Sequence, residues 1–266
     1  MKKFLLLILL AAFTCISCKK FLDTKPQDSV SPENYFNTEA DLQRALNGVY
    51  NRLIGTFGRL YQRGLWSYMA VSDEFFYSNI SSNNLKVSDF DASNLDVTRF
   101  WEVCYQGIDR ANQVIANVNK PEMDETARNS IKGQALFLRG YFYFLLVDNF
   151  GAIPLKLNPT SSPTDKPLPR SPIADVYGQI VKDMQEAETL VLPIDQVISN
   201  EVVSQTAVQA ILAKVFLKMA GAPLNDITKY KEALTYSNKV IASGLHSLNP
   251  DYQQIFINES KDITDS

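Results

Sequence analysis

Helical periodicity runs through most of the chain after Thr38, and it limits the fold more than any other feature of the sequence. Leu42, Leu46 and Val49 follow one another at spacings of three or four, and Thr38 before them has the side chain of an N-cap. The same spacing predicts further helices over residues 65–77, 99–118, 124–149, 171–190, 206–220 and 226–243, with Asp124 as the N-cap of the third of these. Strands should be few, so the sequence predicts an all-α fold.

Small residues within these helices indicate how the helices pack. Gly133 and Gly140 lie inside the predicted 124–149 helix, where each costs about 1 kcal/mol relative to alanine, so we expect a neighbouring helix to approach closely there. Arg139, between them, is expected to pair with a buried carboxylate or a helix carbonyl. Paired helices with such contacts predict tetratricopeptide-like hairpins stacked as a solenoid, joined by long loops over 78–98 and 158–172.

The first eighteen residues form an export signal. Lys2 and Lys3 precede an apolar run over 4–13, which is shorter than the roughly 20 residues needed to span a bilayer. Ser17-Cys18 resembles a lipobox, so we expect cleavage before Cys18 and acylation of that cysteine, although an ordinary secretory signal is the alternative. The predicted organisation is a lipoprotein signal peptide over 1–17, a lipidated extended tether over 18–38 and a helical domain over 39–266.

The net charge argues against a nucleic-acid-binding protein, and the cysteine content argues against a disulfide-stabilised one. The formal net charge is −3, and it becomes −5 if Lys2 and Lys3 leave with the signal, which argues against a nucleic-acid partner. Of the three cysteines, removal of Cys15 and acylation of Cys18 would leave only Cys104, so no intramolecular disulfide is expected. Cys104 lies in an apolar stretch and is predicted to be a small buried side chain.

The sequence contains no pattern typical of a catalytic, metal or cofactor site. His246 is the only histidine, and it sits beside Gly244, a predicted helix C-cap. Asp73 and Glu74 are adjacent, and neighbours on a helix point about 100° apart, so they do not form a glycosidase pair. We therefore predict that the chain is not an enzyme.

The polar stretch over 78–98 is the strongest candidate for ligand binding. Amide side chains there can donate and accept hydrogen bonds with sugar hydroxyls, and Tyr77 offers a flat apolar face for a sugar ring. The alternative is a solvated loop with Tyr77 in the core. The residues that we predict to bind ligand in and beside this loop are Tyr77, Asn79, Asn83, Asn84 and Asn94.

Motifs along the chain resemble those of the SusD/RagB family of outer-membrane nutrient-binding lipoproteins, in the family's order. They are Phe21-Leu22-Asp23-Thr24-Lys25-Pro26, Trp101-Glu102…Tyr105…Ile108-Asp109-Arg110-Ala111-Asn112, Ala135-Leu136-Phe137-Leu138-Arg139-Gly140-Tyr141-Phe142-Tyr143, Phe150-Gly151-Ala152-Ile153-Pro154-Leu155, and the helices over 177–192, 206–217 and 230–244. The resemblance extends from the lipobox almost to Ser266.

The resemblance implies a helical protein that covers a TonB-dependent, SusC-like outer-membrane transporter and captures a glycan, or sometimes a peptide, for import. It adds Asp73 to the predicted ligand site, because Val71-Ser72-Asp73-Glu74 resembles an acidic segment before the family's ligand loop. It implies outer-membrane, surface-exposed localisation, with Lys19-Lys20 departing from the acidic residues that often accompany surface export. Family members are considerably longer, so the chain is expected to be an N-terminal part whose helix over 226–243 exposes an apolar face. The alternative function is a helical-repeat scaffold of the envelope that binds no sugar.

Overall fold

Six α-helices account for nearly all the regular structure in the computed structural model, which describes residues 35–53, 60, 89–160, 162, 167–197, 199, 201–248 and 250–253. The helices are α1 (Glu39–Tyr50), α2 (Leu95–Asn117), α3 (Glu125–Phe150), α4 (Ile173–Leu190), α5 (Gln205–Ala220) and α6 (Lys229–Ser243). A short 3₁₀ turn, Ile194–Gln196, lies between α4 and α5. Within these ranges there is no strand, only an isolated antiparallel bridge between Ile153 and Ser171. The all-α prediction is confirmed.

The helices pack in chain order. Contacts join α1 to α2 and α3, and then α2 to α3, α3 to α4, α4 to α5 and α5 to α6. The connections are short between α2 and α3, over 118–124, and between α5 and α6, over 221–228, so each of these contacting pairs is a helical hairpin. Longer segments join the other helices, and the contacts in chain order stack them as a solenoid, as the sequence predicts. All six belong to one compact unit, Phe36–Ser266; a second unit, Met1–Tyr35, lies outside the described residues except for Tyr35.

Side-chain caps fix four of the six helix N-termini. Thr38 and Asp41 form a capping box at the start of α1, and the Asp124 carboxylate accepts a hydrogen bond of 3.0 Å from the Ala127 amide at the start of α3. Gly244 ends α6 with φ of 65°, in the left-handed region that favours glycine. These three predicted caps are confirmed, because each depends on local sequence alone.

Two predicted boundaries were wrong, and the predicted helix over 65–77 lies outside the described residues. Helix α2 begins at Leu95 rather than 99, because Asn94 caps it and residues 95–98 are helical rather than part of the loop. Helix α6 begins at Lys229 rather than 226, because the Asp226 carboxylate accepts hydrogen bonds from the amide and hydroxyl of Thr228 in the preceding turn.

Glycines allow the helices to approach as closely as the sequence predicts. A Cβ at Gly140 would lie 3.2 Å from Cγ of Met184 on α4, and one at Gly133 would lie 2.8 Å from Cγ1 of Val191. The tightest position is Gly107 on α2, where a Cβ would overlap the ring of Phe142 on α3. These glycines lower the helix propensity of α2 and α3, but they allow contacts between helices that a larger residue would prevent.

Replacing Gly107 by alanine should lower the free energy of unfolding by about 1–3 kcal/mol, because the ring of Phe142 is fully buried and has no room to move. Gly178→Ala is the matched control. Gly178 is exposed within α4 and a Cβ there meets nothing within 4 Å, so that variant should gain up to about 1 kcal/mol. Urea unfolding followed by circular dichroism measures both; equal effects would contradict the packing argument.

Candidate functional site

The outward face of α2 lines an open groove of about 710 Å³. Its residues recur as neighbouring pairs four positions apart, which places them along one side of the helix. The opposite side of α2 is buried, including Phe100, Val103, Cys104 and Ile108. Lys156 and Thr160, from the segment that follows α3, complete the wall. We call this cleft the α2 groove; it is lined by Trp101, Glu102, Tyr105, Gln106, Asp109, Arg110, Lys156 and Thr160.

Two aromatic rings form the apolar part of the α2 groove. The rings of Trp101 and Tyr105 lie 4.9 Å apart between centroids, and Trp101 also meets Phe150 edge-to-face at 5.1 Å. The Tyr105 hydroxyl donates a hydrogen bond of 2.8 Å to the carbonyl of Pro154, and burial raises the pKa of this phenol. The wall is therefore uncharged and held in one orientation.

Polar groups of both charges line the rest of the groove. The Asp109 carboxylate accepts hydrogen bonds from the amide and hydroxyl of Thr160, at 2.8 and 2.6 Å, and lies 3.7 Å from the Lys156 ammonium, which also donates to the Thr160 hydroxyl. Arg110 donates to the Gly48 carbonyl at 2.7 Å. With Glu102 exposed beside them, the two cations and two carboxylates balance in formal charge.

A buried ion pair between α3 and α4 is linked to the α2 groove by hydrogen bonds. Both oxygens of Asp183 accept hydrogen bonds from Arg139, each 2.7 Å long, and the two side chains are 2% and 7% exposed. Burial raises the pKa of the Asp183 carboxyl, while hydrogen bonds from Arg139 and Gln179 oppose that shift. The predicted role of Arg139 as a buried partner of a carboxylate is confirmed.

Hydrogen bonds connect this ion pair to the segment over 156–160, which forms the second wall of the groove. Arg139 also donates to the Asn112 carboxamide oxygen at 2.9 Å, and the Asn112 amide donates to the carbonyls of Lys156 and Asn158 at 2.9 and 3.2 Å. The Tyr143 hydroxyl donates to the Lys156 carbonyl and accepts from the Lys156 amide. Hydrogen bonds from Asn112 and Tyr143 thus hold the backbone over 156–158, and Lys156 and Thr160 line the groove.

Of the predicted ligand residues, only Asn94 lies in the described part of the chain. It is 6% exposed, and its carboxamide oxygen accepts hydrogen bonds from the amides of Asp96 and Val97 as the N-cap of α2. Its ligand role stays a prediction, and the capping role is an addition to it. The other predicted residues, namely Asp73, Tyr77, Asn79, Asn83, Asn84 and the lipidation site Cys18, lie outside the described residues.

The α2 groove was not predicted from the sequence, although the six of its residues that lie on α2 fall within the Trp101–Asn112 motif. The pattern of exposed polar and aromatic residues at i, i+1, i+4 and i+5 was the signal available. Lys156 and Thr160 carry no such signal, because their segment has no periodicity.

The side chains of Cys104 and His246 are held by packing and by a hydrogen bond, respectively. Cys104 is fully buried, as predicted, and burial raises the pKa of its thiol. The Nε2 of His246 is hydrogen-bonded to the Thr206 hydroxyl at 2.8 Å. No group of three or more His, Cys, Asp or Glu side chains in the described ranges is arranged to hold a metal ion. None of the described helices has the length and apolar character to cross a membrane.

Comparison with known proteins gives a family match over most of the chain. Residues 20–217 match the SusD-like family described as "Starch-binding associating with outer membrane". SusD-like protein P2 of Formosa agariphila is 30% identical over 96% of this chain and 50% of its own length, and SusD-like protein P25 of the same organism is 23% identical over 92% and 47%. The chain spans about half the length of the curated relatives it matches.

Solved structures share the fold. A SusD homolog from Bacteroides thetaiotaomicron has a TM-score of 0.75 and 24% identity, covering 85% of this chain and 44% of that protein. Surface glycan-binding protein A from Bacteroides uniformis has a TM-score of 0.71 and 22% identity, covering 84% and 50%. At such identities the likeness supports the helical architecture alone.

Replacing Arg139 by methionine should cost about 3–5 kcal/mol of unfolding free energy, because it leaves the Asp183 carboxylate buried without its partner. The matched control is Arg44→Met, which removes an exposed ion pair with Asp41 and should cost less than about 1 kcal/mol. The double variant Arg139→Met/Asp183→Leu should recover most of the loss. Urea unfolding measures all three, and a small loss in Arg139→Met would disprove the central role of the pair.

Proposed function

The chain belongs to the SusD-like family, and on that basis we propose that it binds oligosaccharide in the α2 groove. The observation that carries the proposal is the pairing of an aromatic wall, Trp101 and Tyr105, with polar side chains along the same face of α2. A sugar ring has an apolar C–H face and a rim of hydroxyls. Half-buried aromatic rings suit the first, and groups that donate and accept hydrogen bonds suit the second.

The charge balance of the groove favours a neutral sugar. Lys156 and Arg110 are offset by Asp109 and Glu102, so no single-sign field attracts an ionic ligand. Thr160 is hydrogen-bonded to both Asp109 and Lys156, and these two form an ion pair, so the three side chains are held in place before a ligand arrives. Such preorganisation lowers the entropy lost on binding.

We further propose that binding serves nutrient uptake. In this proposal Cys18 is acylated, the lipid anchors the protein at the outer membrane, and bound oligosaccharide passes to a SusC-like TonB-dependent transporter. The family description, with its starch binding and outer-membrane association, supports the proposal. We propose binding without catalysis, since Cys104 is buried and the His246 ring is hydrogen-bonded to Thr206.

The double variant Glu102→Ala/Gln106→Ala should lower affinity for a neutral oligosaccharide about tenfold, because each lost hydrogen bond is worth about 0.5–1.5 kcal/mol. Both side chains are exposed, but Gln106 accepts a hydrogen bond of 2.8 Å from Arg52, so urea unfolding of the variant must first show that the fold is retained. Glu39→Ala/Gln43→Ala is the matched control, since it removes the same two residue types at the same spacing from the exposed surface of α1. Affinity electrophoresis in starch and other neutral glycans, followed by calorimetry, measures binding.

A parallel variant, Tyr77→Ala/Asn83→Ala/Asn84→Ala, tests the ligand loop predicted from sequence. Loss of binding in this variant alone would place the site in that loop and remove it from the α2 groove. If the unaltered chain retains no glycan but co-purifies with a barrel protein, the envelope-scaffold function is correct instead.

A further inference from the structure

The segment over 153–160, which carries the second wall of the α2 groove, is held by side chains rather than by a neighbouring strand. Within the described ranges its one backbone bridge is at Ile153. Further along, the Tyr143 hydroxyl donates a hydrogen bond of 2.7 Å to the Lys156 carbonyl and accepts one of 2.8 Å from the Lys156 amide. A single hydroxyl therefore makes both of the bonds that an adjacent strand would make to Lys156.

The hydroxyl of Tyr143 is not needed to fill the core. Tyr143 is fully buried on α3 between Phe142 and Phe144, which are also buried, so a phenylalanine at 143 would fill nearly the same space. Burying a hydroxyl is unfavourable unless it is hydrogen-bonded, and the Lys156 backbone satisfies it in both directions. Burial raises the pKa of this phenol, so the hydroxyl keeps the proton that it donates. What the hydroxyl adds to the core is therefore the position of the segment rather than volume.

The position of this segment determines what the α2 groove offers a ligand. Lys156 and Thr160 line the groove, and both side chains extend from the stretch of backbone that begins at the Tyr143 contact. Thr160 is hydrogen-bonded to Asp109, and the Lys156 ammonium lies 3.7 Å from the same carboxylate. A shift of the Lys156 backbone would move these polar groups relative to the aromatic wall.

We propose that Tyr143 is a positioning residue for oligosaccharide: by holding the Lys156 backbone, its hydroxyl keeps the polar groups of this segment at the distance from the aromatic wall that a sugar ring requires. The inference rests on the proposed glycan binding in the α2 groove. Tyr143 is not among the residues that line the groove, so it acts through Lys156 and Thr160. Without the hydroxyl, only a fraction of the molecules has the segment in place, and the apparent Kd rises by the inverse of that fraction.

The variant Tyr143→Phe removes the hydroxyl and leaves the ring. It should lower the affinity for a neutral oligosaccharide about tenfold, which corresponds to correct placement of the segment in about one molecule in ten. Affinity electrophoresis followed by calorimetry measures the change. If the unaltered chain binds the glycan and Tyr143→Phe binds it equally well, the proposal is overturned.

Tyr50→Phe is the matched control for the loss of a buried hydroxyl. The Tyr50 hydroxyl donates a hydrogen bond of 2.8 Å to the Gln134 carboxamide oxygen and accepts one of 3.1 Å from the Val203 amide, and neither partner lines the groove. Both variants should lower the melting temperature by about 2–4 °C, but Tyr50→Phe should leave the affinity unchanged. An equal loss of affinity in the two variants would show that binding follows general stability, and it would overturn the proposal.

Hydrogen exchange at two backbone amides gives a readout that needs no ligand. The Lys156 amide donates to Tyr143 and the Val203 amide donates to Tyr50, so each variant should affect its own amide. NMR should find exchange at Lys156 at least about tenfold faster in Tyr143→Phe and unchanged in Tyr50→Phe, with the reverse at Val203. Protection of the Lys156 amide that persists in Tyr143→Phe would mean that the hydroxyl does not hold the segment, and it too would overturn the proposal.

The variant Glu102→Ala/Gln106→Ala separates failure of this inference from failure of the proposed function. If that variant loses affinity and Tyr143→Phe does not, the groove binds glycan but the Tyr143 hydroxyl does not position it. If the unaltered chain binds no glycan, the proposed function and this inference are both overturned, and faster exchange at Lys156 in Tyr143→Phe would then show a purely structural hydroxyl.

Discussion

The buried pair between Arg139 and Asp183 is the interaction on which the rest of the described structure depends. Removing two charges from water is costly, and the cost is offset only when every hydrogen-bonding group nearby is used. Asp183 receives three such bonds, two from Arg139 and one from Gln179, and Arg139 continues to Asn112. The pair therefore fixes the register of α4 on α3 and ties both to α2.

Features with a local cause could be predicted from sequence, and features with a tertiary cause could not. The caps at Thr38, Asp124 and Gly244 depend on a few neighbouring residues, so their positions were correct. Asn94 shows the limit of this reasoning. The side chain of an asparagine can cap a helix as readily as it can bind a ligand. Because residues 78–98 are polar in composition, they were all predicted to be loop, and the predicted start of α2 was four residues too late.

The candidate site could be predicted only in part, for the same reason. The face of α2 with Trp101 and Tyr105 follows from helical periodicity, and it lies within the Trp101–Asn112 motif. The other wall of the groove belongs to a segment without periodicity, and its position is set by side chains of α2 and α3, Asn112 and Tyr143, that hydrogen-bond to its backbone. No sequence pattern indicates which carbonyls such side chains will meet.

This arrangement links the ion pair to the proposed ligand. Lys156 and Thr160 line the α2 groove because Asn112 holds the backbone beneath them, and Arg139 holds Asn112. A balanced groove has no net charge to attract a ligand from a distance, so its affinity depends on the correct placement of short-range contacts. In the proposed function, glycan affinity would therefore depend on the buried guanidinium group of Arg139, which acts through Asn112 rather than by lining the groove.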